Sequence, residues 1–210
     1  MKAFFLRHKM IAVLFLWPVL AGCVTKASAP TSFYMLTPLS PSAAKPSAGT
    51  GDGRTVISIE AVKVPGYLDR SQIVTNLNDT EYQLAEFNRW AEALGDTLTR
   101  VIAENLSRLL SSDSADVFPS ARSIPFDYNI EVEVMRLDGK LGDRVTLIAR
   151  WAILGPDEND LILLQRSEYQ ETAEDKTYKG LVLAQSRAVE KLSRDIAGAM
   201  KNTLTNPIKR

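Results

Sequence analysis

The sequence predicts a single-domain α/β fold, one sheet covered by two long amphipathic helices. Three observations predict it. Two segments, near 91–110 and 177–203, repeat apolar residues every three or four positions. Between them lie three extended segments joined by short turn sequences. Ahead of the first helix, several short runs rich in β-branched residues end in Pro-Gly or Asn/Asp turns. A helical stripe needs a surface to cover, and hairpin-linked strands supply one.

The elements follow in chain order. Phe33-Tyr34-Met35-Leu36 interrupts a segment rich in Ser, Ala, Pro, Gly and Thr. Four consecutive apolar residues are expected to form a short edge strand, ended by Pro38. Residues 40–53 then read as a loop. Residues 55–64 (TVISIEAVKV) read as a strand that Pro65-Gly66 stops. Residues 72–75 and 82–87 are two short extended segments with a turn at 76–79. Leu94, Leu98, Val101, Ile102, Leu106 and Leu109 share one helical face, placing a helix over about 91–110. Residues 111–116 end it.

Tyr128, Ile130, Val132 and Val134 alternate with Asn129, Glu131 and Glu133, the pattern of a half-buried strand. Residues 138–143 read as a hairpin turn. Val145, Leu147, Ala149, Trp151 and Ile153 line one face of the return strand. Gly155-Pro156-Asp157 turns the chain into a third strand at 161–172, which makes this part an antiparallel meander. The second helix carries Leu181, Ala188, Val189, Leu192, Ile196 and Met200 on one face. Asn206-Pro207 closes it, and residues 206–210 are expected to fray.

The first 22 residues stand apart from this fold. Lys2, Arg7 and Lys9 precede an apolar run over 10–20, broken by Pro18. That is the length of a signal-peptide h-region, short of the roughly 18 apolar residues that span a bilayer. The run ends in Leu20-Ala21-Gly22-Cys23, and Cys23 is the one Cys in the chain. This resembles a bacterial lipobox, with cleavage after Gly22 and diacylglycerol on the Cys23 sulfur, followed by N-palmitoylation. A single acyl chain binds a membrane marginally, at about 0.8 kcal/mol per buried CH₂, so two or three are needed for a lasting anchor. Val24 rather than Asp at the next position resembles the signal for the outer membrane in enterobacteria. The organisation expected is a signal peptide over 1–22, a lipidated tether over 23–54 with its short strand at 33–36, a domain over 55–205 and a tail over 206–210.

Composition narrows the chemistry. The 210-residue chain has 25 basic and 25 acidic residues, so no net positive field points to nucleic acid. Cleavage after Gly22 removes Lys2, Arg7 and Lys9 and no acid, which moves the balance to −3. It also removes His8, the one histidine. The remainder then holds no Ser-His-Asp site and no His-ligated metal, and acylated Cys23 is no nucleophile. No cofactor is expected beyond the lipid on Cys23, and an enzyme is not the expected class.

Three segments stand out together: Val64-Pro65-Gly66-Tyr67-Leu68-Asp69-Arg70 with Gln72-Ile73-Val74; Phe87-Asn88-Arg89-Trp90-Ala91-Glu92-Ala93-Leu94; and Arg100-Val101-Ile102-Ala103-Glu104-Asn105-Leu106. Behind a lipobox and the 33–38 segment, they resemble the PqiC family, the auxiliary lipoprotein components of ABC-type and MCE-type transport systems. The resemblance covers most of 33–110. Two positions depart from it: Gly66 stands where family members often carry an acid, and Ala93 where they often carry Pro. The resemblance implies an α/β sandwich with a mixed sheet. It also implies a non-enzymatic lipoprotein on the periplasmic face of the outer membrane. Its partners would be an MCE-domain periplasmic protein that carries phospholipid, that protein's inner-membrane component, and outer-membrane lipids. Cyclic partners make a homo-oligomeric ring a natural match. A tethered lipid shuttle and a structural lipoprotein of another envelope complex are the alternatives.

Tyr67, Leu68, Asp69, Arg70, Arg89 and Trp90 are the candidate partner contacts. Each has a plainer reading. Asp69 and Arg70 would form a local ion pair on a surface turn. Arg89 and Trp90 are expected at the start of the first helix, where an Arg opposes the macrodipole and needs a carboxylate or carbonyl to hold it. Trp90 and Trp151 would be core anchors. Glu131 and Glu133 would be solvated.

Overall fold

The computed structural model describes residues 29–40, 53–119, 124–157 and 160–206. The expectations for the signal segment, cleavage after Gly22, Cys23, most of the tether and residues 207–210 lie outside the described residues. Eight strands and two helices are described. They are β1 (Ser32–Tyr34), β2 (Thr55–Ile59), β3 (Gln72–Asn76), β4 (Tyr82–Trp90), α1 (Leu94–Leu109), β5 (Ala115–Pro119), β6 (Tyr128–Gly139), β7 (Arg144–Leu154), β8 (Leu161–Thr172) and α2 (Tyr178–Thr205).

The α/β class holds, and the sheets are mixed. The strands fall into two sheets where the sequence pattern pointed to one: β1-β4-β3 and β5-β2-β6-β7-β8. The meander β6-β7-β8 is antiparallel, while β2 runs parallel to both β5 and β6. The residues read as inward on β7 (Val145, Leu147, Ala149, Trp151, Ile153) are all buried. So are Leu181, Ala188, Val189, Leu192, Ile196 and Met200 of α2 and Leu94, Leu98, Val101, Ile102 and Leu106 of α1. The edge strand at 33–36 exists as β1, parallel to β4, with Leu36 buried just beyond it.

Three departures have physical causes. First, β2 stops at Ile59 instead of running to Val64. The amide of Val62 turns to Thr99 Oγ1 on α1 at 2.9 Å, which withdraws it from the β6 ladder. Lys63 then rejoins β6 as a single bridge opposite Glu133. The first turn of α1 approaches this segment so closely that a Cβ at Gly95 would lie 3.0 Å from the Val62 carbonyl. Second, the segment expected only to end α1 contains β5. Ser114 adopts φ 50, and its carbonyl accepts from Thr55 N–H at 3.0 Å, which starts the pairing with β2. Arg54 holds the same join through Asp116 Oδ2 at 2.9 Å. Third, β4 extends to Trp90, so Arg89 and Trp90 end a strand and do not begin a helix. The macrodipole argument for Arg89 therefore does not apply.

Buried polar groups lock the layers. Asn105 on α1 accepts from Leu39 N–H at 2.7 Å and donates to Ser193 Oγ on α2 at 3.1 Å. Ser186 Oγ accepts from Thr37 N–H at 3.1 Å. The chain leaving β1 is thereby fastened to both helices, consistent with the rule that buried polar atoms find partners.

Candidate partner-docking site

The loop after β2 is shaped by one carbonyl. Pro65 O accepts from Leu68 N–H at 2.8 Å and from Asp69 N–H at 3.2 Å. The resulting turn sends neighbouring side chains in different directions. Leu68 is buried in the core. Tyr67 lies half-buried, its hydroxyl donating to Asp138 Oδ2 at 2.7 Å, its ring 5.2 Å from that of Tyr82. Burial first, and then the hydrogen bond and charge of Asp138, push the Tyr67 phenol above its ordinary range. Asp69 and Arg70 face solvent. No ion pair joins them among the described residues, so the expected local pair is absent.

Trp90 is brought beside this loop by the sheet. Its N–H donates to Ser71 O at 2.8 Å, and Ala91 N–H donates to Tyr34 O at 2.9 Å. Arg89 stands opposite Gln72 on one side and Phe33 on the other. Its Nε points at the Glu86 carbonyl at 3.5 Å, so a carbonyl does hold it. Trp90 is 5% exposed, an anchor as expected.

Asp69, Arg70, Ser71, Trp90, Ala91, Glu92 and Ala93 line one open cleft of about 370 Å³. Of the six candidates, the structure brings Asp69, Arg70 and Trp90 together. It turns Tyr67 and Leu68 inward and leaves Arg89 outside the lining. Glu92 enters the cleft wall with its Oε2 held by Arg100 at 3.2 Å and the Thr97 hydroxyl at 3.4 Å. Ser71, Ala91, Glu92 and Ala93 were not among the candidate contacts, although the last three sit inside the quoted motif.

Asp138 was missed as well. It is 0% exposed and accepts from Arg136 Nε at 2.9 Å as well as from Tyr67. No local pattern marks it, because its burial depends on the loop that covers it. Trp151 is core, its Nε1 donating to Ser167 Oγ at 3.1 Å. Glu133 is exposed and pairs with Arg150 at 2.9 Å, while Glu131 is half-buried. Both line a second cleft, of about 250 Å³. Among the described residues no group of His, Cys, Asp or Glu is placed to hold a metal ion, and no helix is long and apolar enough to cross a membrane.

Residues 34–197 match the family model of the ABC-type transport auxiliary lipoprotein component. The chain belongs to that family. It is 26% identical over 146 residues to the intermembrane transport lipoprotein PqiC of Escherichia coli strain K12, covering 69% of this chain and 72% of that one. The PqiC of Shigella flexneri matches to the same extent. Among solved structures, the fold is shared with an uncharacterized protein at TM-score 0.68 and 20% identity, over 82% of this chain and 99% of that one. It is shared also with a Xanthomonas campestris protein at TM-score 0.65 and 16% identity, over 82% and 96%. The motif-bearing cleft, α1 and α2 as far as residue 197 fall inside the span matched to the auxiliary lipoprotein family.

Proposed function

We propose that this auxiliary lipoprotein docks the end of an MCE-domain phospholipid transporter at the outer membrane. It would be acylated at Cys23, face the periplasm, and hold its domain on the tether that precedes β1. The family supports a role in transport, and the PqiC relatives, named as intermembrane transport lipoproteins, support transfer between membranes. The role is positioning, without covalent chemistry. A homo-oligomeric ring would suit a partner with cyclic symmetry.

The observation that carries this reading is the cleft at Arg70. It gathers exposed polar residues from two separated motif segments onto one surface, while their neighbours Tyr67 and Leu68 are absorbed by the fold. The experiment is site-directed cross-linking from position 70 of the full chain in intact cells, read by mass spectrometry. Capture of an MCE-domain protein is the expected result. Failure to capture one, with phospholipid bound to an isolated monomer, would overturn docking in favour of a tethered lipid shuttle.

A further inference from the structure

We propose that Phe33 and Met35 seat the β1 edge of the domain in the phospholipid surface that holds the acyl chains of Cys23. The contact is a second point of attachment, and it fixes how the domain stands on its membrane. It rests on the reading that Cys23 is acylated, and it adds a lipid-binding face that acylation by itself does not require.

The first observation is the alternation along residues 33–36. Tyr34 and Leu36 turn into the molecule. The Tyr34 hydroxyl donates to Asn88 Oδ1 at 3.0 Å, its ring lies 6.5 Å from that of Tyr178, and Leu36 is 2% exposed. Phe33 and Met35, on the alternate positions, are 64% and 38% exposed. β1 lies at the edge of its sheet, and the outward row of such a strand is polar where it meets water. Here that row is an aromatic ring and a thioether, with Arg89 of β4 paired opposite Phe33. Amphipathic and aromatic side chains of this kind are favoured where hydrocarbon meets headgroups.

The second observation is where the chain leads. Phe33 stands ten residues after Cys23 and is the first large apolar residue after Val24. Ten residues reach at most about 35 Å when fully extended. A face held that close to a bilayer meets it at high effective concentration, so a small apolar contact suffices.

The third observation is charge. Residues 23–51 contain no acid, their charged residues are Lys26 and Lys45, and Asp52 is the first acid of the chain. Such a segment is attracted to anionic phospholipid. Of the acids on either side of Arg89, Glu92 is engaged by Arg100 at 3.2 Å, and Glu86 is exposed. Leu77, Tyr82 and Leu84 are exposed as well, but they lie at the hairpin end of β4 beside the exposed Asp79 and Glu81, so they do not extend a lipid-facing surface. Phe33 and Met35 alone are too few for a protein partner. A stable interface takes about 800 Å² from each side, and one aromatic side chain supplies about 150–250 Å².

The test uses the full chain, purified with its acyl chains and reconstituted in vesicles of phosphatidylethanolamine and phosphatidylglycerol. Trp90 and Trp151 of the parent chain are buried, so an added exposed tryptophan reports on its own surroundings. Phe33→Trp keeps an aromatic ring at the contact, and Leu164→Trp, at a position 62% exposed on β8, serves as the reference. With phospholipid brominated near the headgroup end of its acyl chains, emission from Phe33→Trp should fall about twofold, and emission from Leu164→Trp should match that in unbrominated vesicles. Equal quenching of the two variants, or none in Phe33→Trp, would overturn the proposal. Emission from Phe33→Trp that follows chain concentration and ignores brominated lipid would give the face to a second copy of the chain and overturn it too. Mass spectrometry of the N-terminal peptide reads the acylation separately. An unmodified Cys23 removes the anchor and this inference with it, whereas an acylated chain with unquenched Phe33→Trp keeps the anchor and removes the inference alone.

Discussion

The five-stranded and three-stranded sheets divide the labour of the molecule. In the large sheet, β6 and β7 have 12 and 11 residues, and their inward rows are buried with almost no exposure, with α2 packed on both strands. Their other faces mix charged and apolar residues, with Glu133 paired to Arg150 at 2.9 Å and Met135 42% exposed. In the small sheet, β1 has 3 residues, and β4 carries Leu84 at 45% exposure and Tyr82 at 44%. Phe33, Met35 and Leu77 beside them are exposed too. Apolar side chains gathered in the open on a small element are what an interaction face shows, whereas a long alternating strand is what a scaffold shows. The comparison teaches that stability and recognition are separable here, and variants can test the separation.

The largest effect belongs to the scaffold. Trp151→Ala removes a side chain 1% exposed on the inner face of β7 and should cost about 3–5 kcal/mol in urea unfolding. A loss below about 1 kcal/mol would break the claim that the large sheet carries the stability. The next effect falls where the docking loop meets the large sheet. Asp138→Ala should cost about 2–3 kcal/mol, because it leaves the Tyr67 hydroxyl and Arg136 without their acceptor. A double-mutant cycle with Tyr67→Phe should show coupling, and its absence would detach the loop from the scaffold.

A smaller effect depends on pH. Burial alone would raise the Glu171 carboxyl, but Lys191 and Arg187 on α2 hold it below its usual value of 4.5. A lowered folded value means that the stabilisation is full above the unfolded value and fades as pH falls through the folded one. Glu171→Gln should therefore cost about 1 kcal/mol at neutral pH, and the difference from the parent chain should shrink below pH 4.5. Thermal melts across that range measure it, and a difference constant with pH would dismiss the clamp. The smallest effect on stability sharpens the comparison most. Phe33→Ser, at a residue 64% exposed, should change unfolding by no more than about 0.5 kcal/mol while reducing partner capture in cells. A large loss of stability would return the small sheet to the scaffold.

Where the pattern was local, the sequence was legible. The strand at 161–172 and the apolar stripe of α2 repeat over enough residues that neighbouring positions alone settle the period. β5 escaped because Ala-Asp-Val-Phe-Pro is too short to show a period, and its strand character comes from β2, about sixty residues earlier. The start of α1 was misplaced because Asn88-Arg89-Trp90 has no strand pattern of its own. Its extended form is imposed by β1 and β3 on either side. At the site, the motif spacing marked Asp69, Arg70 and Trp90. No spacing showed that Tyr67 would turn to Asp138.

The sequence by itself determined the α/β class, the meander, both helices and the family resemblance, since each rests on periodicity or on contiguous residues. Only the tertiary structure decided that there are two sheets, that β2 breaks where Thr99 takes the Val62 amide, and which motif residues share a cleft. Those outcomes depend on hydrogen bonds and burial between residues far apart in the chain. Such contacts form only once the chain has folded, and no local pattern records them.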